Sequence, residues 1–182
     1  MQPIRTLEQV LRSIMTPHDY LFSLSDLANI LPNQDRSALK MVVSRAVGTG
    51  VLVRACHGIY MLADAPRTGL ELFHIAAKVR AGFFNYISQE TVLSDAGVIS
   101  QLPINHATIM SSGASAVLNC GNLGSIEFTH TKRDLVALSP RLVYDESRRL
   151  LCATVEVAWE DLRSARRNRH LVDEEALDDL IR

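Results

Sequence analysis

The sequence predicts an α+β protein, and two observations support this fold class: the order of its helical and β-like patterns, and a composition typical of a packed core. Helical periodicity dominates the residues before 50, a pair of β-like runs follows, and short helical and β-like runs then alternate to the end. Hydrophobic residues make up 47% of the 182 residues and charged residues 21%, a balance typical of a packed core. The net charge of −1 excludes a protein that is basic throughout, so any nucleic-acid contact must come from a local patch.

The first two helices are predicted from apolar residues at helical spacing. The stripe of the first helix, at about residues 4–15, consists of Ile4, Leu7, Val10, Leu11 and Ile14. The stripe of the second consists of Leu24, Leu27, Ala28 and Leu31. Ser23 or Ser25 can cap this second helix through a side-chain oxygen, and Pro32 ends it.

A third helix is predicted at about residues 36–47, after a polar turn in which Asp35 is the capping candidate. Its apolar stripe consists of Leu39, Val42, Val43, Ala46 and Val47. Its opposite face carries Arg36, Ser37, Lys40, Met41 and Ser44, with Arg45 beside it. Gly48 and Gly50 can end the helix, because glycine adopts the left-handed conformation most easily.

Two β-like runs, 51–54 and 59–62, are joined by residues 55–58, where Gly58 suits a hairpin turn. Three helices followed by a hairpin predict a winged helix-turn-helix, the motif that lays its second helix in the major groove. The candidate DNA-binding residues are Asn33, Gln34, Arg36, Ser37, Lys40, Ser44 and Arg45, with Arg54 and His57 on the wing. Two alternatives stay open: the fold could serve protein contact only, with Arg36 and Lys40 solvated, and Arg45 could pair with a nearby acid.

A loop at 63–69 separates two predicted domains, 1–66 and 67–182. The second domain is predicted to be mixed α/β. Its predicted helices are 70–81, 89–96 (capped by Ser88), 157–167 and 173–181, and its β-like runs are 83–88, 107–111, 116–120 and 125–130. Residues 135–138 and 142–144 are not assigned, and 151–155 fit either a strand or the start of a helix.

Motifs for catalysis and metal binding are not found in the sequence. Cys56, Cys120 and Cys152 are odd in number and lack CxxC spacing, which favours reduced thiols in a cytoplasmic protein over a disulfide framework or a zinc site. Ser111-Ser112-Gly113 lacks the G-x-S-x-G pattern of a nucleophile turn, and the sequence contains no P-loop or HExxH. We therefore expect no enzyme activity, no cofactor and no metal, and we expect His74 to be packed and hydrogen-bonded. The start of the sequence lacks signal-peptide character and no apolar run approaches the roughly 18 residues of a membrane span.

Five segments in a fixed order carry a family resemblance. They are HGIYML (57–62), FNYISQETVLSDAGVISQLP (84–103), HATIMSS (106–112), GSIEFTH (124–130) and ATVEVAWEDLRSARR (153–167). The most specific positions are Tyr86, Ser88, Thr91, Leu93, Gly97 and Ile99. In this order the chain resembles the AbiEi-type antitoxin of AbiE abortive-infection systems, a family of winged-helix regulators of viral defence.

The resemblance implies a type IV toxin–antitoxin system. Its antitoxin would be a repressor that binds inverted repeats of double-stranded DNA in its own promoter. The C-terminal antitoxin domain would counteract a nucleotidyltransferase toxin without a stable complex. Two alternatives stay open: a winged-helix regulator without a toxin, whose C-terminal domain senses a ligand or dimerises, and a protein-interaction module that has lost DNA binding.

A basic cluster near the end of the sequence has two interpretations. Arg163, Arg166, Arg167 and Arg169 could form a second DNA or RNA contact, or a surface that faces the toxin. The simpler interpretation, which the sequence favours, is a solvated helix face. Trp159 lies at helical spacing from Val155 and Leu162 and is expected in the core.

Overall fold

The computed structural model describes residues 3–100, 105–166 and 168–181 of the chain. Within these residues the chain forms eight α-helices and two β-sheets, which confirms the predicted α+β class. The chain divides into two compact units, Met1–Gly69 and Leu70–Arg182, so the division falls three residues beyond the predicted boundary. Arg167 and residues 101–104, which include the end of the second family segment, lie outside the described residues. None of the helices in the described part has the length and apolar character that crossing a bilayer requires.

The first unit consists of three helices and a small antiparallel sheet. Its elements are α1 (Pro3–Ile14), β1 (Phe22–Ser23), α2 (Leu24–Ile30), α3 (Arg36–Gly48), β2 (Leu52–Cys56) and β3 (Ile59–Leu62). The strand order is β1-β3-β2. Strand β1 was not predicted; its two residues pair with Ile59 and Tyr60.

The predicted caps of α2 and α3 are confirmed. The Ser23 hydroxyl accepts from the Asp26 amide, and the Asp26 carboxylate accepts from the Ser23 amide, so the two form a capping box. The Asp35 carboxylate accepts from the amides of Ser37 and Ala38, each at 2.8 Å. The apolar stripes are buried as predicted for Leu7, Leu11, Leu27 and Leu39, whereas Ile14 was wrongly assigned to the core and is 48% exposed.

The hairpin turn is tighter than the sequence predicted. Strand β2 continues to Cys56, with a register shift between Arg54 and Cys56, so His57 and Gly58 alone connect the strands. Gly58 has a φ of +78°, which a side chain would disfavour. The predicted link over 55–58 was therefore wrong, because the bulge lets the strand absorb two more residues.

The second unit is built around a six-stranded mixed sheet. Its helices are α4 (Glu71–Val79), α5 (Gln89–Asp95), α6 (Leu135–Leu138), α7 (Val155–Ala165) and α8 (Glu174–Ile181). Its strands are β4 (Asn85–Ile87), β5 (His106–Ser111), β6 (Ala116–Asn119), β7 (Ser125–His130), β8 (Leu142–Asp145) and β9 (Leu150–Ala153), in the order β6-β7-β5-β4-β9-β8. The central strand β4 pairs antiparallel with β5 and parallel with β9.

A buried polar cluster joins β4 to α7. The Asp161 carboxylate, in a residue only 3% exposed, accepts from the Tyr86 hydroxyl at 3.0 Å and the Ser88 hydroxyl at 2.7 Å. Arg133 Nε donates to its other oxygen at 2.7 Å. Burial, followed by the nearby Asp161 charge, raises the pKa of the Tyr86 phenol above its ordinary value of 10.0, so the phenol remains a hydrogen-bond donor.

Two predictions for the second unit were wrong: that Ser88 caps α5 and that Trp159 lies in the core. Ser88 precedes α5 but makes no capping bond, because its hydroxyl is bound to Asp161 instead. Trp159 is half-buried and not in the core, whereas Leu162 is fully buried.

His74 is buried and its Nε2 lies 2.7 Å from the Ser147 carbonyl oxygen, which confirms the packed, hydrogen-bonded role predicted for it.

Candidate nucleic-acid interface

Helix α3 has two chemically different faces. Its buried residues are Leu39, Val42, Val43 and Ala46, which hold it against the core of the first unit. Its exposed polar residues are Arg36, Ser37, Lys40, Ser44 and Arg45. Within the described residues, Arg36, Lys40 and Arg45 form no ion pair, so the open alternative of an acidic partner for Arg45 is not found there. The helix therefore presents uncompensated positive charge to solvent.

One surface depression of about 340 Å³ brings α3 and the hairpin together. Five of the predicted site residues line it: Arg36, Lys40, Ser44, Arg54 and His57. The remaining lining residues are Leu24, Val43, Val47, Gly58 and Tyr60. As far as the described residues go, the lining holds three permanent cations and no carboxylate. Such a concave surface of one charge sign concentrates anions near it.

The two hairpin residues of the depression, Arg54 and His57, are coupled to each other. Arg54 Nη2 lies 2.8 Å from His57 Nδ1, and Arg54 Nε donates to the Cys56 carbonyl oxygen at 3.3 Å. Because a guanidinium can only donate, Nδ1 of His57 must accept, which leaves the ring proton on Nε2. The exposed His57 ring therefore offers an N–H donor at Nε2, next to the Arg54 charge.

The other four predicted site residues do not line this depression. Asn33 and Gln34 lie in the turn between α2 and α3, where the Gln34 amide donates to the Leu31 carbonyl oxygen at 3.0 Å. Ser37 lies in the first turn of α3 and Arg45 in its last turn. Asn33, Ser37 and Arg45 are exposed and Gln34 is half-buried, and none of the four belongs to the group that lines the depression.

Tyr60 is a site residue that the sequence reasoning missed. It lies on β3, where it pairs with Arg54 on one side and with Phe22 on the other. The period-2 alternation of a strand would have found it, since Ile59 and Met61 are buried and Tyr60 must face the opposite way. Tyr60 is half-buried and lines the depression together with Arg54 and His57.

The described residues contain no group of three histidine, cysteine or acidic side chains placed to hold an ion. No protein-family model matches the chain, and no curated protein is significantly similar to it. The candidate interface is a cation-lined surface formed by a helix and a hairpin.

Proposed function

We propose that the first unit is a winged helix-turn-helix domain that binds double-stranded DNA in the chain's own promoter. In this proposal the whole chain is the autorepressor and antitoxin of a type IV toxin–antitoxin system. The observation that carries the DNA-binding part is the convergence of Arg36, Lys40, Ser44, Arg54 and His57 on one surface. Three of these residues come from α3 and two from the hairpin, as a helix-and-wing reader of DNA requires.

In the proposed complex, α3 enters the major groove with its exposed face toward the bases. Arg36 and Lys40 suit phosphates and the O6 and N7 atoms of guanine, whereas Asn33 and Gln34 in the preceding turn suit adenine. Arg54 and His57 reach the backbone or the minor groove from the hairpin. The buried Leu39 face matters equally, because only an anchored helix can hold these donors in register with base edges.

The cation-lined surface of one copy is small, which affects how many copies are needed to bind DNA tightly. Three permanent cations in the depression supply few phosphate contacts, and sequence-independent affinity grows with the number of phosphates neutralised. Two copies bound to inverted repeats would double the number of contacts and make the spacing of the repeats part of the specificity. We therefore propose that two copies bind repeated half-sites in the promoter, as the family resemblance implies.

The double variant Arg36→Ala plus Lys40→Ala is expected to weaken binding to the upstream DNA at least about tenfold. It should also reduce the slope of log K against log salt by about two units, since each cation contacting a phosphate contributes about one. Fluorescence anisotropy with labelled upstream DNA over a series of salt concentrations measures both quantities.

The matched control for this experiment is Arg5→Ala plus Arg67→Ala. Both residues are exposed cations of the first unit that do not line the depression. This control removes the same formal charge and should retain most of the affinity. Equal affinity of wild type and the Arg36/Lys40 variant for the upstream DNA would refute the proposed interface. Equal losses of affinity in both double variants would show that the cations act only through non-specific electrostatic attraction.

The antitoxin part of the proposal is supported only by the sequence resemblance, so its test is separate. An adjacent reading frame for a nucleotidyltransferase, expressed alone, should arrest growth, and co-expression of this chain should restore it. The Arg36/Lys40 variant should restore growth as well, because the proposed antitoxin activity belongs to the second unit. If growth stays arrested although this chain is well expressed, the antitoxin part of the proposal is wrong and only the DNA-binding part remains.

A further inference from the structure

Four arginines meet in an open depression of the second unit. Arg133, Arg163, Arg166 and Arg169 line it together with Glu160 and Ser164, and its volume is about 920 Å³. Four guanidinium groups thus face a single carboxylate among the described lining residues. We call this surface the arginine depression.

The arginines come from separate segments, which distinguishes this surface from an ordinary solvated helix face. Arg133 lies in the loop between β7 and α6, Arg163 lies on α7, and Arg169 lies in a short 3₁₀ turn after it. Arg133 is fixed by Asp161 and by Glu160, whose Oε2 lies 2.9 Å from Nη1. Arg163 lies over the Trp159 ring, with 5.8 Å between the guanidinium carbon and the ring centroid.

The backbone after α7 is held in an unusual conformation. Arg166 and Asn168 both adopt left-handed φ values, +55° and +51°, which side-chain-bearing residues rarely do. Asn168 is anchored there by its amide, which donates to Glu90 Oε1 at 2.9 Å, and Glu90 is only 1% exposed. This turn places Arg166 and Arg169 beside Arg163 instead of letting the chain continue away from it.

The charge of the arginine depression is largely uncompensated. In the part of the chain that the structure describes, Arg163, Arg166 and Arg169 form no ion pair, and all three are exposed. Cations near one another repel, so an anion that bridges such a cluster stabilises it. Guanidinium groups match phosphate oxygens in paired hydrogen bonds, which makes phosphate the best-fitting anion.

We propose that the arginine depression is a second nucleic-acid site that binds backbone phosphates. Every described lining residue is polar or charged, so the surface lacks the aromatic anchors that accompany arginine at the centres of protein interfaces. It equally lacks the mostly apolar, enclosing wall that a free nucleotide needs for its base. An extended phosphate backbone needs neither. This site is additional to the proposed promoter contact, which lies wholly in the first unit.

The test uses the full chain with Arg163→Gln and Arg169→Gln. These changes are introduced into the Arg36→Ala plus Lys40→Ala background, so that the first unit contributes little to binding. The probes are labelled duplex DNA and single-stranded RNA of arbitrary sequence. We expect roughly tenfold weaker binding to at least one probe, and a salt slope that falls by about 0.7 to 0.9 for every phosphate that the variant no longer neutralises.

The matched control is Lys78→Gln plus Arg149→Gln, which removes two exposed charges of the second unit outside the arginine depression. Far-ultraviolet circular dichroism checks that each variant is folded, because Arg163 lies over the Trp159 ring and its replacement would change the tryptophan fluorescence directly. Arg163→Lys plus Arg169→Lys should bind with intermediate affinity, because lysine keeps the charge but not the paired hydrogen bonds.

Three results would overturn the proposal. The first is unchanged affinity for both probes in a folded glutamine variant. The second is a loss of ATP binding with oligonucleotide binding unchanged, which would indicate a nucleotide site. The third is a loss of poly-glutamate binding alone, which would indicate an acidic protein partner. None of these results bears on promoter binding by the first unit, which is measured with the Arg36/Lys40 variant in the otherwise wild-type chain.

Discussion

Asp161→Ala is expected to destabilise the second unit by about 3–5 kcal/mol. The carboxylate is 3% exposed and accepts from Arg133, Tyr86 and Ser88. Its removal leaves the fully buried hydroxyls of Tyr86 and Ser88 without their acceptor. It also breaks the ion pair between Arg133 and this buried carboxylate. Unsatisfied buried polar groups bear their full desolvation cost, so the loss should far exceed that of a surface ion pair.

Urea unfolding followed by tryptophan fluorescence measures this effect, because Trp159 is the only tryptophan in the sequence and lies on the same helix. The control is Glu160→Ala. This neighbouring carboxylate pairs with Arg133 and accepts two hydrogen bonds from Arg141, but its side chain is 37% exposed, so we expect a smaller loss of about 1 kcal/mol. If the two variants lost equal stability, the buried cluster would not be the main polar contribution to the stability of this unit.

Leu39→Ala is expected to destabilise the first unit by about 2–5 kcal/mol and to reduce DNA binding indirectly. Leu39 is 2% exposed and belongs to the stripe that holds α3 in place. Truncating it removes buried apolar surface and leaves a cavity, without touching any proposed DNA contact. Binding should therefore recover at low temperature or in a stabilising osmolyte, whereas binding by the Arg36/Lys40 variant should not.

Met41→Ala is the control for this second experiment. Met41 lies on the same helix two residues further along but is 55% exposed, so its effect on stability should stay within about 0.5 kcal/mol. Circular dichroism during urea unfolding compares the two variants. A Leu39 variant with normal stability but impaired binding would contradict the anchoring role and would place Leu39 at the DNA surface instead.

Helix α3 shows how much of the fold the sequence predicts. An unbroken apolar stripe, the Asp35 cap and the glycines after it predicted residues 36–47, and the structure has Arg36–Gly48. Strand β1 was missed because two residues carry no periodicity, and Phe22 and Ser23 become a strand only by pairing with β3. The Ser88 cap failed for a related reason, since Asp161 lies far along the sequence and its bond to that hydroxyl is not visible locally.

The candidate interface was predictable to the same extent. Periodicity identified the exposed face of α3, and Arg36, Lys40 and Ser44 do meet Arg54 and His57 in space. The arginine depression could be predicted only in part. The basic run near Arg163 suggested a charged helix face, but nothing in the sequence indicated that Arg133 joins it. The left-handed turn at Arg166 and Asn168 could not be predicted either, since it depends on an anchor at buried Glu90.

The strand order of the second unit has a consequence for biosynthesis. Strand β4 needs β9 as its parallel neighbour, yet Leu150–Ala153 is translated long after Asn85–Ile87. During translation one edge of β4 therefore remains unpaired until β9 has been synthesised. This makes the nascent second unit prone to aggregation and slow to fold. The strands of the first unit all lie between Phe22 and Leu62, so that unit can finish folding while its neighbour is still being made.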